Sequence, residues 1–168
     1  MDEENLTELR KLLDKQNHLI YEAVKKGEIS HLSGELLSLA EAMQDHLHLS
    51  HVRNALEFAD VREGQRYEIQ HEGTTVSPMM HVIVHTAVKE SIKQYEWARS
   101  AFAKLLAEGA SKHHAEHILS MIFAESLWDV THGGGAEAFR QGAEKICASR
   151  KVRRRWIRTA PEAHASME

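Results

Sequence analysis

The sequence predicts an all-α protein: a compact bundle of five or six helices with one long irregular connection at about 61–77. Three observations carry this. Only two prolines and nine glycines interrupt 168 residues, and the strong helix formers Ala, Leu, Glu and Lys are abundant. Apolar residues recur at helical rather than alternating spacing over most of the chain. Serine and glycine stand where helices must start and stop. A chain of this length, 42% hydrophobic and 27% charged, can bury a core without disulfide or metal staples. We expect one helical domain over 1–150 and a basic, flexible C-terminal tail over 151–168.

In order along the chain, Leu6, Leu9, Leu13, Ile20 and Val24 form the stripe of a first helix that Gly27 ends. A second helix starts near Ser33 and aligns Leu36, Ala40, Met43 and Leu47. From Val61 to Ser77 the period breaks at Gly64, Gly73 and Thr74-Thr75, with a short extended pair expected around Tyr67–Ile69. Connections this long are uncommon inside compact domains and are often functional. Ser77-Pro78 reads as a helix start, serine capping and proline at the first helical position. The helix that follows carries Val84, Val88, Ile92 and Tyr95 on one stripe, with His81 and His85 on it and Lys89, Glu90 and Lys93 away from it. The pattern runs on to Gly109 as one helix or as two with a bend near 93–96. Ser111 caps a further helix, apolar on every side, that reaches His132 before Gly133-Gly134-Gly135. A short helix over Ala136–Ser149 completes the bundle.

The compartment and charge narrow the function. A single cysteine, Cys147, excludes an internal disulfide and suits a reducing compartment. The acidic N-terminus lacks a secretory n-region, and no apolar run approaches the ~18 residues of a membrane span. We therefore expect a cytoplasmic protein without membrane contact. The formal net charge is −4, yet Arg150, Lys151, Arg153, Arg154, Arg155 and Arg158 fall within nine residues. That cluster, 150–158, is the only candidate contact for nucleic acid. A solvated tail folding back on an acidic body is the favoured reading, since no nucleic-acid motif accompanies it. Partners are otherwise left open, a second copy of the chain among them.

Thirteen histidines are many, and two pairs stand four residues apart in apolar surroundings: His81/His85 and His113/His117, with His114 beside the second. On a helix, residues i and i+4 share a face about 6 Å apart along the axis, so two imidazoles can reach one ion. Two such helices could offer four nitrogens from His81, His85, His117 and one of His113 or His114. That set suits zinc, or iron or nickel with water completing the shell. If chemistry occurs there, Glu116 or Glu125 is the expected general base. Glu125, about 12 Å along the axis from His117, fits indirect support or a buried ion pair better than coordination. His46, His48 and His51 end the second helix; they could add a ligand, although solvated histidines complementing the helix dipole are commoner there. His113-x-x-Glu116-His117 also matches the H-x-x-E-H pattern of inverzincin proteases, but the downstream chain is too short for their further ligand.

The stretch Ser77-Pro78-Met79-Met80-His81-Val82-Ile83-Val84-His85-Thr86-Ala87-Val88-Lys89-Glu90 resembles the N-P-x-x-H-x-x-x-H-x-A-x-x-E signature of a bacterial family of uncharacterised proteins, domain of unknown function 1841. His113-His114-Ala115-Glu116-His117 with Ala124-Glu125-Ser126-Leu127-Trp128 is similar to that family's later segment. The resemblance covers roughly 40 to 130, with Ser77 in place of the usual asparagine and no proline after residue 92. It implies a helical protein in which His81, His85, His117 and Glu125 belong to a shared pattern, and no established activity. The expected function is binding of a divalent transition metal by inward histidines of two helices, with a hydrolytic or redox role. The competing reading is a metal-free interaction or scaffolding protein whose histidines and carboxylates form a buried hydrogen-bond network.

Overall fold

A computed structural model describes residues 3–59, 61, 65, 67–71, 74–131 and 137–160, without side chains at 3, 6, 69–71, 74–76 and 128–131. The glycine triplet, Gly64, Gly73, His132, the side chains of Trp128 and Asp129, and the segment after Ala160 lie outside the described residues. Eight helices are present among those residues: α1 (Glu3–Lys26), α2 (Gly34–His46), α3 (Ser50–Glu57), α4 (Pro78–Gln94), α5 (Glu96–Ala107), α6 (Lys112–Thr131), α7 (Ala138–Ala148) and α8 (Arg150–Thr159). A small antiparallel hairpin, β1 (Ile69–His71) and β2 (Thr74–Val76), lies within the long connection, with Ile69 opposite Val76. The class is all-α, as expected, with more helices than the five or six counted from periodicity.

The chain divides into two compact units, Met1–Thr86 and Ala87–Glu168, with the boundary inside α4. In the first, α1 packs on α2 and α3. Its core is Ile20, Tyr21, Val24, Met43, Val52, Leu56 and Val82 with intervening alanines. Only the C-terminal part of the α1 stripe is buried; Leu9 and Leu13 are exposed. Gly27 ends α1 at φ 73°, a left-handed conformation that a side chain would strain. Its amide donates to Val24 and that of Glu28 to Ala23, the paired bonds of a Schellman stop. Gly109 ends α5 in the same way, at φ 100°.

In the second unit α5, α6, α7 and α8 enclose Leu105, Ile118, Leu119, Phe139 and Ile146. The segment from Pro78 to Glu108 is two helices. Tyr95 takes an extended backbone between them (φ −111°, ψ 127°), with no proline or glycine to announce the break. Ser111 Oγ accepts from the His114 amide at 3.1 Å and so caps α6 as its position predicts.

Arg150–Thr159, written in sequence terms as tail, is helix α8. Ser149 caps it, accepting from the Val152 amide at 3.3 Å, and Val152, Trp156 and Ile157 pack on the core of the second unit. Six charges in nine residues hide that apolar stripe from a composition-based reading. Arg153 lies under the end of α7 and donates to the carbonyls of Ile146 and Cys147.

Candidate metal centre: three histidines on α2 and α4

The first unit gathers three imidazoles. Ser77 precedes α4, and Pro78 occupies its first position, so His81 and His85 fall on successive turns. Their ring centroids lie 4.8 Å apart at an interplanar angle of 33°. The third ring comes from the last residue of α2. His46 lies seven residues after Leu39 and four after Ala42, so it stands on the face that buries Ala42 and Met43. Its centroid is 4.7 Å from that of His81 and 4.4 Å from that of His85, both edge-on. One ring nitrogen from each residue lies within 4.8 Å of the other two.

This set departs from the expected one in a specific way. His81 and His85 are together and inward, as the α4 stripe predicts: His85 is 1% exposed and His81 half-buried. His46, grouped in sequence with His48 and His51, is fully buried, whereas His48 is exposed and His51 half-buried. The signal was present in the Leu39, Ala42, Met43, His46 spacing. Of the stripe Leu36, Ala40, Met43 and Leu47, the middle two are buried, but Leu36 is exposed and Leu47 half-buried, so the buried face is centred nearer Ala42, Met43 and His46.

The hydrogen bonding of His46 bears on what it can do. Its Nδ1 lies 2.6 Å from the carbonyl oxygen of Ala42. A carbonyl only accepts, so Nδ1 carries the proton, and in the neutral ring the lone pair is on Nε2. That is the arrangement metal-bound histidines adopt, one nitrogen donating to a carbonyl and the other facing the ion. Three ligands on a tetrahedral ion with bonds of ~2.0–2.1 Å would sit about 3.3–3.4 Å apart. The three ring nitrogens lie within 4.8 Å of one another, so coordination would draw them closer together.

The remaining expected residues belong to the second unit. His113 and His117 stack at 6.5 Å and 19° on α6. Burial, and after it the neighbouring His113 and His114, together push the His117 imidazole down to about 4. His114 is 7% exposed, and its Nε2 has no hydrogen-bond partner among the described residues. Glu116 is buried and ion-paired with Lys89 at 3.0 Å, with Lys112 at 4.0 Å. Lys89 was placed outside the α4 stripe; it is 6% exposed because the buried face of α4 is turned toward Val82, His85 and Val88. A carboxylate so engaged must give up its ammonium before it can take a proton from water. Glu125, expected in a buried setting, is exposed along with Ala124 and Leu127, so α6 is not covered on every side at that end.

No helix among the described residues is long and apolar enough to cross a membrane. No curated protein and no solved structure matches the chain. The sequence profile of one family does, over residues 14–141, a span that includes all three clustered histidines as well as His113, His114 and His117. The chain therefore belongs to the family described as Domain of unknown function (DUF1841).

Proposed function

We propose that His46, His81 and His85 bind one divalent transition metal ion, zinc or else iron or nickel. The observation that supports this most is the convergence of three imidazoles in one place, with one ring nitrogen of each within 4.8 Å of the others. Two of the three rings are almost wholly buried. Grouping three such rings without an ion between them would leave polar edges facing one another in a poorly solvated place. An ion converts that cost into coordination. Three protein nitrogens also leave a tetrahedral ion one position for water or substrate, as in catalytic rather than structural zinc sites. A hydrolytic or redox role follows if that position is used, with His81, the least buried of the three, on the approachable side.

The expected base Glu116 is committed to Lys89 and Glu125 is exposed in the second unit, so neither is assigned to this reading. The His113, His114 and His117 group is the second candidate for ligands, and substitution distinguishes the two groups. The test is elemental analysis of protein purified without a polyhistidine tag. Near-stoichiometric metal, lost in His46→Ala and His85→Ala but kept in His117→Ala, supports the reading. Absence of metal after incubation with each ion overturns it and leaves the histidines as a structural network in an interaction protein.

A further inference from the structure

Outside the histidine cluster, the strongest concentration of unbalanced chemistry is α8. Its ten residues carry six cationic groups and no acidic one. Arg150, Arg153 and Arg154 all reach a single carboxylate, Glu108 at the end of α5, at 2.9, 3.4 and 3.2 Å. Burial of Glu108 opposes its charge, but the hydrogen bonds from Arg150 and Arg154 prevail and hold the carboxyl below the usual range. Lys151, Arg155 and Arg158 have no carboxylate partner among the described residues. Arg158 donates only to the carbonyl of Arg154.

Four of the six cations border a groove. Arg150, Lys151, Arg154, Ile157 and Arg158 line it from α8 and Glu108 from α5, around a volume of about 570 Å³. Residues 150, 154 and 158 repeat every four positions, so their Cα atoms rise along the helix in steps of about 6 Å. Glu108 ties the first two guanidinium groups at Nε, which leaves their terminal N–H donors for another acceptor. The charge of the chain is divided to match. Residues 87–168 hold thirteen Lys and Arg against ten Asp and Glu, whereas residues 1–86 hold eight against fifteen. The unit that carries α8 is therefore net basic, and its charge does not oppose a polyanion there.

We propose that the α8 groove binds the phosphodiester backbone of a nucleic acid, without sequence preference. A row of arginines at regular intervals fits a linear polyanion with regularly spaced charges. Arginine forks match phosphate oxygens pairwise. Ile157 gives the groove an apolar floor for sugar and base edges. Trp156 is half-buried in the core, so the affinity comes from phosphate contacts rather than base stacking.

The test measures binding of the full chain to a short fluorescein-labelled single-stranded oligonucleotide of mixed sequence by anisotropy, over a range of salt concentrations. We expect log K to fall linearly with log salt, as counterion release requires. Lys151→Gln combined with Arg158→Gln removes two exposed cations that hold no carboxylate, so circular dichroism should be unchanged. Affinity at low salt should fall about tenfold or more, and the magnitude of the salt slope by about 1.4, near 0.7 per lost contact. Each single variant should give about half that slope change. Arg155→Gln, outside the groove lining, should leave both values near wild type. Three results would each overturn the proposal: no binding at low salt, a double variant that binds like wild type, or polyglutamate competing as well as unlabelled oligonucleotide. The last would identify an acidic protein surface as the partner instead.

Discussion

The Nδ1 of His46 lies 2.6 Å from the carbonyl oxygen of Ala42, one helical turn earlier on the same strand of backbone. This bond places the ring proton on Nδ1 and so directs Nε2 to any coordination. In a helix that ends at His46 the Ala42 carbonyl also faces the His46 amide, so the ring adds a second donor to that acceptor.

It follows that His46→Gln and His46→Ala should differ little in metal binding, because neither supplies the second nitrogen. Both should reduce metal affinity by a factor on the order of 10–100 or more, the range seen when even a supporting partner is lost. Equilibrium dialysis against a competing chelator measures this. Retention of wild-type affinity by both variants would remove His46 from the ligand set.

Burial of the Lys89–Glu116 pair predicts an asymmetric response to substitution. Glu116→Gln or Lys89→Met alone leaves the other charge in a site with about one-twentieth of its side chain exposed. Each should cost about 3–5 kcal/mol in urea unfolding. Joining Lys89→Met to Glu116→Leu should recover most of the loss. Equal, additive losses would show that the two charges do not depend on each other.

Gly142 of α7 faces Ile122 of α6 so closely that an added Cβ would clash with Ile122 Cγ2. Gly142→Ala should lower stability by about 1–3 kcal/mol even though alanine favours helix. Ile122→Ala, which removes Cγ2, should relieve the clash, so that the loss in the double variant is smaller than the sum of the two single losses. A stabilised Gly142→Ala would contradict the packing of α6 on α7.

The His117 imidazole, lowered to about 4 from its ordinary 6.5, sets a pH window. Its folded-state pKa lies below the unfolded one, so the unfolded chain binds more protons between them and stability rises with pH there. The contribution is complete above 6.5 and is lost as pH falls toward 4. Partial exposure limits it to on the order of 2 kcal/mol, less than the roughly 3.4 kcal/mol that 1.36 kcal/mol per unit would give without screening. Urea midpoints at several pH values for wild type and His117→Leu should converge above neutrality and separate in acid, with the variant falling less.

Local pattern accounts for much of this structure. Gly27, Gly109, Ser77-Pro78 and Ser111 marked helix ends because the backbone chemistry at those ends is local. The inward setting of His85 was legible from the α4 stripe. The third histidine was not, because His46 was grouped with its polar neighbours rather than with Ala42 and Met43, on whose face it stands. The Lys89–Glu116 pair joins residues 27 apart, and no periodicity reports a partner on another helix. The break at Tyr95 has no proline or glycine to signal it. In α8 the dense charge concealed Val152 and Trp156, an i, i+4 apolar pair behind a serine cap.

The central claim is that three histidines share one ion, and X-ray absorption at the metal edge of untagged protein tests it most directly. The account predicts three imidazole nitrogens at about 2.0–2.1 Å with one further light ligand. The imidazole signal should be lost in a His46→Ala/His85→Ala chain. A sulfur shell near 2.3 Å, a shell of oxygen alone, or a wild-type spectrum from the double variant would contradict it.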